Sequence, residues 1–373
     1  MTNTNGCHQN ITDREQSNTY LHISNAHQQF DFDFFTSKDN QQIRWGYMRA
    51  KLPSVQQKIV GSKSRSESKG VLLLLNGRTE FMEKYRAVAS RLSSMGYHVI
   101  SFDWRGQGLS VRELSNHDKG YVRDFHIYIN DLALFYNLHV EPLSIELKLP
   151  VIILAHSMGG HIALRFLSQF SNSSFTSHTD STSNNSNPLS SHINIQNIKK
   201  AVLISPMIDI ITSPIQGDYA TVIADWGSRR LAYLAVKAGL GGNYIPGGKD
   251  YCRKNVQFKD NLLTHDWDNF WLEHMEIEKN QNLALGGVTW GWLKAAFDSI
   301  AILKDDRYLS CIKTAVVIFS AEEDRVVSNK AQQSICNSLP NGKFISIPKA
   351  RHEILFETVR TRELLWSKIS LEV

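Results

Sequence analysis

The chain has 373 residues, 42% hydrophobic, 21% charged and 10% aromatic, an ordinary balance for a folded protein and unlike that of a disordered or fibrous one. Its net charge of +5 is not gathered into one long run and no nucleic-acid motif accompanies it, so nucleic acid is not an expected partner. No stretch of about eighteen apolar residues occurs, which excludes a spanning helix and leaves peripheral contact with an anionic membrane surface as the furthest reach of the basic balance.

The four cysteines, Cys7, Cys252, Cys311 and Cys336, are far apart and form no CxxC pair. That spacing argues against a zinc cluster and a disulfide framework and favours a reducing compartment. The opening residues, MTNTNGCHQNITDREQ, lack the apolar core of a secretory signal. The expected location is therefore cytoplasmic, with peripheral attachment to the inner membrane left open. The oligomeric state is not legible.

Residues 1–28 are polar and are expected to be poorly ordered. QFDFDFF (29–35) and QQIRWGYMRA (41–50), joined across SKDN, read as a hairpin, and 54–69 as a polar loop. Apolar strands then alternate with amphipathic helices. Strands are expected at 70–76, 97–103, 150–155, 200–205 and 314–320 and near 345, with helices at 83–95 and 125–138 and from Ser157 onward. Near-continuous Val/Ile/Leu strands of this kind predict a mostly parallel sheet covered on both faces by helices, an α/β fold.

Two segments break the rhythm. The Ser/Thr/Asn-rich stretch 171–196 is expected to be a disordered surface insertion. Residues 207–300 lack the alternation and hold five of the eight tryptophans: Trp226, Trp267, Trp271, Trp290 and Trp292. Helical stretches near 219–238 and 267–285 suggest an inserted helical cap. The core would then comprise 29–206 and 301–373.

The chemistry gathers at VIILAHSMGGHIALRF (151–166), where a buried strand runs into a serine among small residues and then into a helix. A serine hydroxyl becomes nucleophilic when a histidine takes its proton, a carboxylate orients that histidine, and donors await the oxyanion. A sharp strand-to-helix turn thrusts Ser157 outward. Such a turn requires small residues two before and two after it, here Ala155 and Gly159. The plainer reading is a helix-capping serine of a nucleotide-binding fold. In the order Ser, Asp, His, Asp324 precedes the apolar pair Val326-Val327, while Glu322 and Glu323 are expected to face water. His352 follows a short strand and precedes a terminal helix. The backbone N–H groups of Arg78, just past the strand at 70–76, and of Met158 are the expected oxyanion donors. FDWRGQGLSV (102–111) has two glycines of a dinucleotide fingerprint but lacks the third, so Asp103, Arg105 and Ser110 are read as bracing a turn instead. No metal or organic cofactor is required.

Taken together, LLLNGRTEFMEKY, SFDWRGQGLS, AHSMGGHIALRFL, SPMIDI, SAEEDRVVSN and ARHEILFE resemble the α/β-hydrolases of the bacterial lysophospholipase and monoglyceride-lipase-like family, its inner-membrane lysophospholipase branch in particular. The resemblance implies an α/β-hydrolase fold with a helical cap, Ser157 as nucleophile, Asp324 as acid, His352 as base, and Arg78 and Met158 as oxyanion-hole amides. It also implies a lipid or other acyl-ester substrate. Asn76 stands where monoglyceride lipases carry histidine, and Ala155 and Ala321 replace glycines. Two other readings remain open: an aminopeptidase of the proline-iminopeptidase type, using a cap carboxylate among Asp225, Asp266, Asp268 and Glu273, or a non-catalytic ligand-binding protein of the same fold. In the cap, Arg229, Arg230, Lys237 and Lys249 are candidates for a phosphate contact, with plain solvation the preferred reading. The cap tryptophans are candidates for an acyl-chain lining or a lipid interface, or simply fill the cap's own core.

Overall fold

A computed structural model describes residues 29–51, 68–171, 193–211 and 218–372, with backbone alone for 218–225. The expected polar segment 1–28, most of the loop 54–69 and most of the Ser-rich insertion lie outside the described residues, and so does Cys7.

The strands β1 (Asp31–Thr36), β2 (Gln42–Met48), β3 (Gly70–Leu75), β4 (Tyr97–Phe102), β5 (Val151–His156), β6 (Ile198–Ile204), β7 (Ala315–Ala321) and β8 (Gly342–Ile347) form one sheet in the order β1-β2-β4-β3-β5-β6-β7-β8. The hairpin β1-β2 joins antiparallel, and every pairing from β4 through β8 is parallel. The central strands β3, β4 and β5 are buried at every position, because helices cover both faces. The edge strand β1 faces solvent on most positions, and its aspartates blunt the open edge.

On one face, α1 (Arg86–Ser94) buries Val88, Ala89 and Leu92 in a cluster shared with the C-terminal helix. On the other, α2 (Phe125–Phe135) begins at Asp124, whose carboxylate accepts from the His126 N–H at 2.8 Å. It runs through a π-helical turn, Tyr136–Val140, into α3 (Glu141–Leu147). α4 (Met158–Ser171) follows β5 directly and is buried along most of its length. After β6 come α5 (Asp218–Lys237), α6 (Trp267–Lys279) and α7 (Trp290–Leu303), then the short α8 (Asp306–Leu309). α9 (Asn329–Ser338) joins β7 to β8, and α10 (Val359–Glu372) closes the described chain.

Two expected boundaries meet different structure. Ile193–Gln196 belongs to the described fold, and Ile195 is buried in the main core where β6 is about to begin. The expected cap edge at residue 300 falls inside α7. That helix sends Trp292, Ala295, Ala296 and Leu303 into the main core, so it serves as a wall of the sheet domain as much as a piece of any cap.

Candidate active site

β5 ends at His156 and α4 begins at Met158, so Ser157 alone makes the corner. Its φ of +49° lies in the left-handed region, which costs a non-glycine residue roughly 1–3 kcal/mol and persists only where the surroundings enforce it. They do. The Ser157 N–H donates to the Ile204 carbonyl at 3.0 Å, and its own carbonyl accepts from the Met207 N–H at 2.9 Å. A Cβ on Gly159 would sit 2.6 Å from the carbonyl oxygens of both Leu75 and Asn76, so only glycine lets α4 lie this close to the end of β3. Ala155, at the position where glycine is usual, is fully buried, and the corner forms around its methyl group.

Residues distant in the chain converge on that corner. The Ser157 hydroxyl lies 2.9 Å from Nε2 of His352. Nδ1 of His352 lies 2.8 Å from Oδ2 of Asp324. The other oxygen of Asp324 accepts from the N–H groups of Val326, at 2.8 Å, and Val327, at 3.0 Å, which fixes the carboxylate's orientation. All three side chains are buried, whereas Glu322 and Glu323 of the same turn are exposed. A hydroxyl, imidazole and carboxylate in this sequence of contacts form a proton relay: with Nδ1–H held by the carboxylate, Nε2 is free to accept the serine proton.

Arg78 lies in the loop after β3, which is drawn against the corner. A Cβ on Gly77 would fall 2.9 Å from Nδ1 of His156, the residue before the serine. Trp104 donates to the Asn76 carbonyl at 2.8 Å and Gln107 to that of Gly77 at 2.7 Å. Among the described residues, no loop carbonyl or side chain accepts from the N–H of Arg78 or of Met158, leaving both donors uncommitted.

The segment 102–111 is a brace. Asp103 accepts from Met82 N–H at 3.0 Å and Leu109 N–H at 2.9 Å, and it pairs with Arg44 at 2.9 Å. Ser110 donates to the Asp103 carbonyl at 2.6 Å, while Arg105 pairs with Asp131 at 2.6 Å. Gly108, at φ +56°, has no room for a Cβ because the Asp103 carboxylate would lie 2.2 Å away. Gly106, at φ +80°, likewise takes a left-handed conformation, so both glycines serve this turn.

Sequence reasoning missed a buried ionic cluster behind the relay. Lys84 holds Glu273 and Glu353 at 2.7 Å each and Glu80 at 3.1 Å. Glu80 also accepts from the Gly77 N–H, from the Tyr85 hydroxyl at 2.7 Å and from His156 Nδ1 at 3.0 Å. Burial opposes every charge here. Even so, His156 and Lys84 hold Glu80 below the usual carboxylate range, and the carboxylates of Glu273, Glu353 and Glu80 hold Lys84 well above its ordinary value. Burial pushes Glu353 upward. The cluster ties the loop after β3, the residue before Ser157, the residue after His352 and helix α6 into one unit. Its only sequence trace was the close spacing of Glu80 and Lys84.

The cap candidates scatter. Asp266 caps α6 by accepting from Asn269 N–H at 2.9 Å, Glu273 is committed to Lys84, and Asp268 is exposed. The Asp225 side chain is outside the described residues. Arg229 pairs with Asp209 at 3.5 Å, Arg230 lies over the Trp226 ring at 5.5 Å, and Lys237 and Lys249 are exposed. Trp226 and Trp267 are exposed, Trp271 stacks among Phe270, His274 and Arg253, and Trp292 belongs to the main core. The five tryptophans do not form one lining. No helix among the described residues is long and apolar enough to cross a membrane.

The sheet order, the strand-to-helix corner and the three converging side chains define an α/β-hydrolase. The chain belongs to the serine aminopeptidase, S33 family, whose model matches residues 66–176 and 190–359. It is 28% identical to the probable lysophospholipase L2 of Haemophilus influenzae, over 78% of this chain and 80% of that one. It is 27% identical to lysophospholipase L2 of Escherichia coli, over 77% and 75% of the respective chains. Among solved structures, a soluble variant of the monoglyceride lipase of Saccharomyces cerevisiae in complex with a substrate analog superposes with a TM-score of 0.65 at 17% identity, covering 92% of this chain and 94% of that one. At that identity, the superposition establishes the fold.

Proposed function

We propose that this chain is a serine carboxylic ester hydrolase acting on fatty-acyl esters of lysophospholipids or monoacylglycerols. The observation that carries the reading is the relay from Ser157 through His352 to Asp324, at 2.9 and 2.8 Å, in a chain whose relatives over three-quarters of its length are named lysophospholipases. Ser157 Oγ attacks the ester carbonyl as its proton passes to His352 Nε2. The backbone N–H groups of Arg78 and Met158 hold the oxyanion, and His352 returns the proton to the departing alcohol. Asp324 keeps the imidazole in the required tautomer. Water, deprotonated by His352, then releases the fatty acid.

The peptidase reading needs a free carboxylate to meet a substrate amine. Of the described cap candidates, Glu273 is neutralised by Lys84 and Asp266 is spent on a helix cap, leaving Asp268, which faces solvent, and this favours the ester. The described residues 226–289, ahead of α7, act as the lid. Its support is that Leu263 accepts from Glu353 N–H at 2.8 Å and Thr264 donates to the Phe356 carbonyl at 2.8 Å, so it rests on the loop carrying His352. Attachment to an anionic lipid surface is assigned to α5. Over its described side chains that helix turns Ala232 and Ala235 inward and leaves Trp226, Leu231 and Leu234 exposed beside Arg230 and Lys237.

The test compares fluorophosphonate labelling and fatty-acid release from lysophosphatidylcholine for the wild type and Ser157→Ala, alongside an aminoacyl-naphthylamide. Labelling and ester cleavage that vanish together in the variant are expected. An active Ser157→Ala protein, or faster turnover of the amide substrate, would overturn the reading.

A further inference from the structure

Among the described residues, no carboxylate pairs with the charge of Arg78. The other enclosed arginines find ample oxygen partners: Arg44 pairs with Glu83 and Asp103, and Arg105 with Asp39 and Asp131. Arg112 donates to the carbonyls of Gly106, Gly108, His117, Asn282 and Ala284. Among the described residues, the Arg78 side chain makes a single hydrogen bond, from Nη2 to the Gly286 carbonyl at 3.0 Å, and its guanidinium lies 5.2 Å from the centre of the Trp292 ring. Its Nε is sealed from solvent with no partner among the described residues, while the residue as a whole is only partly buried. Burial pushes this guanidinium down to about 10, and among the described residues only the phenols of Tyr128 and Tyr244 act to raise it. An enclosed cation of this kind is costly unless an anion completes it.

Its place in the fold says which anion. The backbone N–H of Arg78 is one of the two uncommitted donors beside Ser157, so its side chain starts at the reacting carbonyl and ends among Gly120, Gly286 and Trp292. A Cβ at Gly120 would lie 2.6 Å from Nη2, so the guanidinium reaches its present place against a bare glycine. In a lysophospholipid the ester carbonyl and the phosphate are joined by the glycerol unit, a spacer similar in length to an arginine side chain. Resting on the ester-hydrolase reading above, we propose that the Arg78 guanidinium binds the phosphate of the substrate head group while the same residue's N–H faces the ester oxygen. A planar fork with free N–H groups suits a phosphate ester and offers nothing particular to the hydroxyls of a monoacylglycerol. Arg78 would thus set preference between the two substrate classes, a role the solvated or paired cap cations do not take.

The experiment follows fluorophosphonate labelling of Ser157 in the wild type, Arg78→Gln and Arg78→Lys in the presence of glycerol 3-phosphate, inorganic phosphate or glycerol. It is paired with kcat/KM for a lysophospholipid and a monoacylglycerol of the same chain. Glycerol 3-phosphate should slow labelling of the wild type, and the concentration required should rise about 10- to 100-fold in Arg78→Gln and less in Arg78→Lys. The ratio of kcat/KM values, lysophospholipid over monoacylglycerol, should fall by a similar factor in Arg78→Gln. An unchanged ratio with unchanged competition would overturn the proposal, as would equal loss on both lipids. Inorganic phosphate competing as well as glycerol 3-phosphate would also overturn it, since a free-phosphate site would then be the better description. A wild-type protein that takes no label would instead sink the hydrolase reading and this inference with it.

Discussion

His156 and His352 face each other with ring centres 5.0 Å apart, and Nε2 of His156 meets the backbone carbonyl of His352 at 3.3 Å. The residue before the proposed nucleophile therefore touches the main chain of the proposed base. Glu80 binds the other nitrogen of His156, and although burial opposes it, that carboxylate holds the imidazole above its ordinary value. A protonated His156 donates at both ends, linking the loop after β3 to the His352 loop. His156→Phe keeps the ring but removes both donors. We expect kcat to fall about tenfold or more, with a smaller change in KM, because the base loses positioning rather than substrate contact. Steady-state kinetics with a soluble ester checks this.

Asp324→Asn is expected to lower kcat roughly 10⁴-fold. The reason is local. One oxygen already accepts from the N–H groups of Val326 and Val327. The amide NH₂ of an asparagine must then face His352 Nδ1, which reverses the tautomer and leaves Nε2 carrying a proton toward Ser157. Folding should be nearly intact, so a melting curve close to that of the wild type with lost turnover is the expected pair of results.

Lys84→Met leaves Glu80, Glu273 and Glu353 enclosed without their shared cation. Breaking such a cluster from one side costs about 3–5 kcal/mol. Glu353 is already raised by burial and rises further without the lysine, so the folded state binds protons more readily than the unfolded chain. By linkage, that contribution to stability grows as pH falls. The deficit of the variant relative to wild type, measured by urea unfolding, should therefore shrink between pH 7 and pH 5.

His161 titrates with the opposite sign. It is fully buried, its ring nitrogens lying 2.9 Å from the Met207 carbonyl oxygen and 2.7 Å from the Ser299 hydroxyl, and burial together with Arg165 depresses it to about 3. Between its unfolded value of 6.5 and about 3, the unfolded chain takes up a proton that the folded protein refuses. Stability is fully present above pH 6.5 and is lost on acidification, by up to about 1.4 kcal/mol per pH unit from this group. Urea midpoints at pH 7 and pH 5 should differ more in the wild type than in His161→Gln.

Replacing Trp226, Leu231 and Leu234 together, the first by Ala and the leucines by Ser, strips the outward apolar face of α5 without touching Ala232 or Ala235. Co-sedimentation with anionic vesicles should fall several-fold, with a smaller change in hydrolysis of a soluble ester. Equal sedimentation of variant and wild type would remove α5 from any role at the membrane.

The strands and the Ser157 corner were legible because each rests on local pattern: uninterrupted apolar runs, and small residues around a serine. The expected span 200–205 became Ile198–Ile204 and 125–138 became Phe125–Phe135 plus a π turn, since ends depend on what packs beside them. Residues 207–300 read as cap because they lack the strand-helix alternation and hold five tryptophans, whereas Trp292 packs edge-on against Phe125 in the sheet domain. The Lys84 cluster was hidden for a different reason. Only Glu80 and Lys84 are near in the chain, and no periodicity connects that pair to residues 156, 273 and 353.

The hydroxyl and imidazole that meet at 2.9 Å are 195 positions apart, and each sits just beyond the end of a different strand of one sheet. Neither half of the polypeptide carries the reactive contact by itself. Turnover is consequently a readout of completed folding: during refolding, the regain of esterase activity should trail the regain of helical circular dichroism and coincide with the last cooperative step.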